Sequence, residues 1–149
     1  MLRFLLTGMP VLVLCLLLQA VFVARCLRYY ARTLRNYESR GSPLQDIVLL
    51  SAVMLLTLLG NFAQMSIWAA LFMLLGEFSD FPTALYHSGV NFATLGYGDL
   101  VMSERWRLLG PLEAANGILM FGVSTAVITA TVLDVIKRNI ARQKPSEPT

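Results

Sequence analysis

Apolar residues fall into three long runs, and the polar residues between them divide the chain. The first run is Phe4 to Ala24 and the second is Ile47 to Gly76; neither contains a charge. The third, from about Leu108 to Ile136, holds Glu113 and Asp134 near its ends. A helix of about 20 apolar residues crosses a bilayer, so the pattern predicts three membrane spans. Between the second and third lies a different signal. Ser79-Asp80-Phe81-Pro82 reads as a helix start, with Ser or Asp as cap and Pro in the first turn. The helix it begins, Pro82 to Ala93, is too short to cross, and glycine-containing residues follow it. A short helix running into irregular backbone between two spans predicts a re-entrant segment. Bare backbone at membrane depth is tolerated only when buried in protein or lining a water-filled cavity.

The spans carry their own marks. Residues 1–24 predict an N-terminal transmembrane helix. Its apolar run is longer than the 7–15 residues usual in a signal peptide, and the residues before Ala24 lack a small-x-small cleavage site. Residues 25–45 predict a basic linker, helical in part: Arg25, Arg28, Arg32 and Arg35 recur at spacings of three and four, and Gly41-Ser42-Pro43 ends the helix. These arginines suit anionic lipid heads at the inner interface. They lie outside the apolar run with no acid inside it, which argues against a voltage sensor. The second run exceeds the hydrocarbon thickness at 1.5 Å per residue, so tilt or protrusion is expected. Its Asn61, Gln64 and Ser66 are expected to bond neighbouring helices. Trp106 anchors the start of the third span at the interface. Further in come Asn116-Gly117 and Phe121-Gly122, where glycine serves either close packing or bending; Asn116 suits a cavity wall or a helix contact. Residues 137–149 form a short basic tail.

Composition agrees: of 149 residues 56% are apolar and 14% charged, against about 25% charged in soluble domains. Charge placement then sets an orientation. Nine of the twelve Lys and Arg residues follow the first or third span, while only Arg3, Arg105 and Arg107 lie on the other side. Basic flanks stay cytoplasmic, so the expectation is a multi-pass protein of the cell membrane with its N-terminus outside and C-terminus inside. Cys15 and Cys26 form no disulfide framework or metal spacing and read as packing residues. No nucleophile set, metal spacing or phosphate loop is present, and the Gly96-x-Gly98 pair lacks the strand-turn-helix setting of a nucleotide site. The chain does not read as an enzyme or a nucleic-acid binder, and no cofactor is expected.

The residues after the short helix are Thr94-Leu95-Gly96-Tyr97-Gly98-Asp99. This TLGYGD string closely resembles the filter of the potassium-channel pore family, whose TVGYG loop presents carbonyl oxygens to the ion. The resemblance covers about Leu44 to Ile136. It implies an all-α membrane protein: three transmembrane helices, a re-entrant pore helix and a filter loop, assembled as a homotetramer. It further divides residues 46–136 into an outer helix (46–76), pore helix (82–93), filter (94–99) and inner helix (108–136). By the same resemblance the permeant ion is K+, bound at Thr94, Leu95, Gly96 and Tyr97, with Gly98 completing the filter. For successive carbonyls to face one way the backbone must alternate in handedness, and glycine permits the positive φ that requires. Tyr97 is expected to hold the filter's diameter from behind, and Asp99 to hydrogen-bond the pore helix and draw cations to the mouth. The pore helix aims its partially negative C-terminal end at the ion cavity. Gly117, and after it Gly122, match the inner-helix hinge.

Departures from the family pattern concern what stands behind the filter. Tyr86 and His87 occupy the place of a bulky aromatic pair, Val90 that of a glutamate in some members, and Ala93 that of a threonine. A carboxyl pair between position 90 and Asp99 is therefore missing. His87, the single histidine, reads either as a proton sensor or as a ring donating a hydrogen bond near Tyr97 or Asp99. Two other functions fit the spans: a weakly selective cation channel, and a non-conducting membrane subunit that joins other pore chains. The gating stimulus is not legible.

Overall fold

The structure, a computed structural model, describes residues 2–36 and 43–143. The expected helix break at Gly41-Ser42, the tail from Lys144 onward, and the side chains of Arg35 and Arg142 lie outside what it describes. Four helices follow in order: α1 (Leu2–Asn36), α2 (Pro43–Leu74), α3 (Phe81–Phe92) and α4 (Leu109–Gln143). The three long ones each contain an apolar stretch able to cross a membrane: Leu5–Thr33, Leu44–Leu74 and Leu109–Ala141. No strand occurs among the described residues. The first span and the arginine stretch form one continuous helix to Asn36, and the last helix runs on to Gln143 rather than stopping near Ile136.

α2 packs against α1, α3 and α4, and α1 reaches α4 as well. Two glycines let α1 come close. A methyl group on Gly8 would lie 2.5 Å from Leu112 of α4, and one on Gly60 of α2 would lie 3.3 Å from Phe22 of α1. Polar side chains then join the helices inside the apolar layer. Gln64 donates to Gln19 of α1 at 2.8 Å, and Asn61 donates to Ser124 of α4 at 3.3 Å. Ser66 departs from expectation: its hydroxyl donates to the Phe62 carbonyl of its own helix at 3.0 Å. A serine can satisfy itself one turn back, whereas the longer Asn and Gln amides reach across.

The main core lies at the α3 end. Cys15, Trp68, Phe72, Phe92, Met102, Trp106, Leu109 and Met120 close together there, drawn from all four helices and the loop after the filter. α2 ends in a Schellman turn: Gly76, at φ +76°, donates to Met73 O and Glu77 donates to Phe72 O. That turn sets the direction in which α3 starts.

Candidate pore-loop site

α3 begins as its sequence prescribes. Asp80 is the N-cap in extended conformation, its Oδ1 accepts from Thr83 N at 2.9 Å, and Pro82 sits in the first turn. That bond holds the Asp80 carboxyl below the ordinary carboxylate range. The helix closes at Ala93, and its last carbonyls are taken by the incoming loop: Thr94 N donates to Asn91 O at 2.9 Å and Leu95 N to Val90 O at 2.8 Å. The loop therefore leaves a fixed helix end.

Along the loop the backbone alternates. Thr94, Gly96 and Gly98 have φ of +56°, +62° and +73°, and neither Leu95 nor Tyr97 is positive. The glycines were expected there. Thr94 was not, and a β-branched residue at positive φ is a genuine outlier, held here by its bond to Asn91. All six residues from Thr94 to Asp99 are exposed in the single chain, Tyr97 at 66% and Leu95 at 53%. Within its own chain Tyr97 does not pack behind the filter.

Beyond the loop, Asp99 is held by both carboxylate oxygens. Tyr86 Oη donates to Oδ2 at 2.7 Å, and Leu100 N donates to Oδ1 at 3.0 Å. The Tyr86 hydroxyl is the main reason the Asp99 carboxyl stays below its ordinary range. Glu77 fixes the next segment: Ser103 N and Ser103 Oγ each donate to it at 2.6 Å.

His87 is buried between Phe72 and Phe78, with centroids 5.6 and 4.9 Å away. Its Nε2 lies 3.0 Å from Asn91 Nδ2, and the ring bonds the Leu100 backbone; Tyr97 and Asp99 are not its hydrogen-bond partners. Burial pushes its pKa down. Between His87, Val90, Asn91 and Gly110 a cavity of about 180 Å³ runs behind Gly96 and Gly98.

The missing carboxyl at position 90 has a counterpart that sequence reasoning passed over. Glu113 of α4 is fully buried, and Ser88 Oγ of α3 donates to its Oε1 at 2.5 Å while also reaching Met65 O of α2 at 2.8 Å. One serine thus ties three helices behind the filter. An acid inside an apolar span is a functional signal by default; Glu113 is legible in the sequence in that sense, whereas its partner Ser88 is not. Asn116, one turn further, is also fully buried and lies against the Cys15 thiol of α1.

The hinge candidates differ. A methyl group on Gly117 would lie 1.9 Å from the carbonyl oxygen of Phe92, the last residue of α3. Gly122 meets nothing within 4 Å in its own chain. At the far end of α4, Tyr30 Oη donates to Asp134 Oδ2 at 2.5 Å and accepts from Arg138 Nη2 at 2.6 Å. Arg138 also faces Asp134 at 3.1 Å and Asp46 at 4.0 Å.

Spanning helices, a capped re-entrant helix and a glycine loop of alternating handedness together define a membrane protein of the pore-loop class. A family model described as ion channel matches residues 46–134. The chain belongs to that ion-channel family, and α1 is an addition before the matched region. No curated protein and no solved structure matches it. It is a multi-pass membrane protein with ion-channel function.

Proposed function

We propose that the chain is one subunit of a tetrameric, potassium-selective channel. The observation that carries this reading is the φ alternation from Thr94 to Gly98. Successive carbonyls can then turn to one side, and four such walls give a ring of oxygens that replaces the ion's water shell. Thr94, Leu95, Gly96 and Tyr97 supply those oxygens. The exposure of the whole loop in one chain supports assembly, because irregular backbone at membrane depth must be covered by protein or face a water-filled path. Tyr97 then packs on the neighbouring subunit, and Asp99, held in its ionised form, draws cations to the mouth. The basic residues gathered toward the C-terminal ends of α1 and α4 support a filter on the outer side of the cell membrane. Passive conduction needs no catalytic group, so a channel and not an enzyme is the fitting reading.

The test is flux through the purified full-length protein in liposomes. Potassium passing well ahead of sodium is the expected result. Equal flux of both ions would leave a weakly selective cation channel, and no flux of either would leave a silent subunit. Gly96→Ala is the control: an L residue at φ +62° costs about 1–2 kcal/mol, repeated in each of four walls, and flux is lost.

A further inference from the structure

At the end of the molecule opposite the filter, a groove of about 780 Å³ runs between α1 and α2. Its walls are apolar: Leu18 and Phe22 on one side, Ala52 and Leu55 on the other. Arg25 and Tyr29 line it at the end toward the arginine stretch, and no residue of α3 or α4 lines it. From Leu18 to Tyr29 the helix rises by eleven steps, about 16 Å. That is about half of a 30 Å hydrocarbon core, the depth of one leaflet.

Charge completes the picture. Arg25, Arg28 and Arg32 are exposed, lie along one side of α1, and make no ion pair among the described residues. The acids resolved at that end, Asp46 and Asp134, face Arg138 instead. An apolar trough one leaflet deep therefore ends at a row of guanidinium groups without an ion pair among the described residues. Arginine is suited to a phosphate because its fork donates in parallel.

We propose that this groove binds one acyl chain of an anionic phospholipid whose phosphate is held by Arg25, with Arg28 and Arg32 adding attraction along the helix. Its arginines lie on the helix that precedes the ion-channel match, and its other wall is on α2. The site rests on the membrane reading but not on potassium selectivity, so binding is measured apart from flux.

The experiment is native mass spectrometry of the purified full-length protein, titrated with phosphatidylglycerol or phosphatidylcholine. Phosphatidylglycerol is expected to be retained at least about fivefold more tightly, and Arg25→Gln to reduce that preference by about fivefold, the factor matching roughly 1 kcal/mol per arginine at a membrane surface. Arg25 is exposed, so this variant keeps its fold. Ala52→Trp fills the trough without changing charge and is expected to lower retention of both lipids. Equal retention of the two lipids by the parent protein overturns the proposal, and so does an unchanged preference in Arg25→Gln. Loss of subunit assembly in Ala52→Trp also overturns it, because a second copy of the chain then occupies the groove.

Discussion

The filter end and the opposite end of this molecule are built from the same helices but held in different ways. At the filter end, exposed side-chain bonds such as Tyr86 to Asp99 stand over a layer of backbone contact and fully buried groups. α4 touches the last carbonyl of α3 at Gly117, Glu113 meets Ser88, and Trp68, Phe72 and Phe92 fill the spaces around them. At the other end, α1, α2 and α4 are joined by side chains that reach across, Tyr30 to Asp134 and Arg138, beside an open groove. Backbone contact leaves no slack, since interiors this closely packed transmit strain. Side-chain bridges can break and re-form one at a time. The far end has a core as well, but a smaller one, of Cys26, Val53 and Val127, so the contrast predicts that the filter end yields less than the other.

The largest effect that should follow is at Gly117. Gly117→Ala drives a methyl group into the Phe92 carbonyl, and because the atom it meets is backbone the cost lies at the upper end of overpacking, about 3 kcal/mol. Thermal melting of the assembled protein should fall steeply and flux should vanish. Gly122→Ala is the contrast, since nothing in its chain lies within 4 Å; stability should change by no more than about 1 kcal/mol, in the direction of gain, because alanine favours helix. A channel that melts normally but conducts abnormally in Gly122→Ala would mark the bending point of α4. Equal damage from both variants would erase the distinction between the two glycines.

Next comes Glu113. Glu113→Ala deletes a fully buried carboxyl and its link to Ser88, at a cost of about 2–3 kcal/mol. Because α3 carries the loop, the loss should appear as poorer potassium selectivity as well as a lower melting temperature. Unaltered selectivity in a destabilised protein would reduce Glu113 to packing alone.

How far the sequence foretold this comparison depends on which physical term decides each element. The three spans follow from uncharged apolar runs, and α3 from the Asp80 cap and Pro82, because those signals are local. Gly96 and Gly98 at positive φ were legible for the same reason: only glycine makes that backbone cheap. Thr94 at φ +56° was not, since its conformation is imposed by the bond to Asn91 at the helix end. Glu113 with Ser88, and Tyr30 with Asp134, are 25 and 104 residues apart. Pairings over such distances depend on how helices pack, which no periodicity encodes. The arginine stretch was legible as helix but its boundary was not: α1 passes from apolar run to Arg32 without a break, because arginine is itself a good helix former.

A smaller effect is expected at the filter's mouth. Tyr86→Phe removes the hydroxyl that donates to Asp99, a group on the exposed surface. The Tyr86 hydroxyl holds the Asp99 carboxyl below its ordinary range in the folded protein, so its contribution is present at neutral pH and is lost as pH falls through that lowered folded value. Without the Tyr86 bond that loss should begin at higher pH. Flux titrated from pH 7 downward in both proteins checks this; superimposable curves would mean that the hydroxyl does not hold the carboxylate.

The smallest effect on stability, and the one that best probes the loose end, is Tyr30→Phe. The phenol oxygen sits between Asp134 and Arg138, so its removal cuts the tie from α1 to α4. It leaves Asp134 and Arg138 facing each other one turn apart on α4. A single hydrogen-bonding group of this kind is worth about 1 kcal/mol, so melting should shift by only a few degrees. If the far end moves against a fixed filter end, freeing α4 from α1 raises potassium flux several-fold while the ratio of potassium to sodium stays that of the parent. A changed ratio at constant flux would mean the opposite: that the Tyr30 bridge reaches the filter through α4, and that the two ends are one rigid body after all.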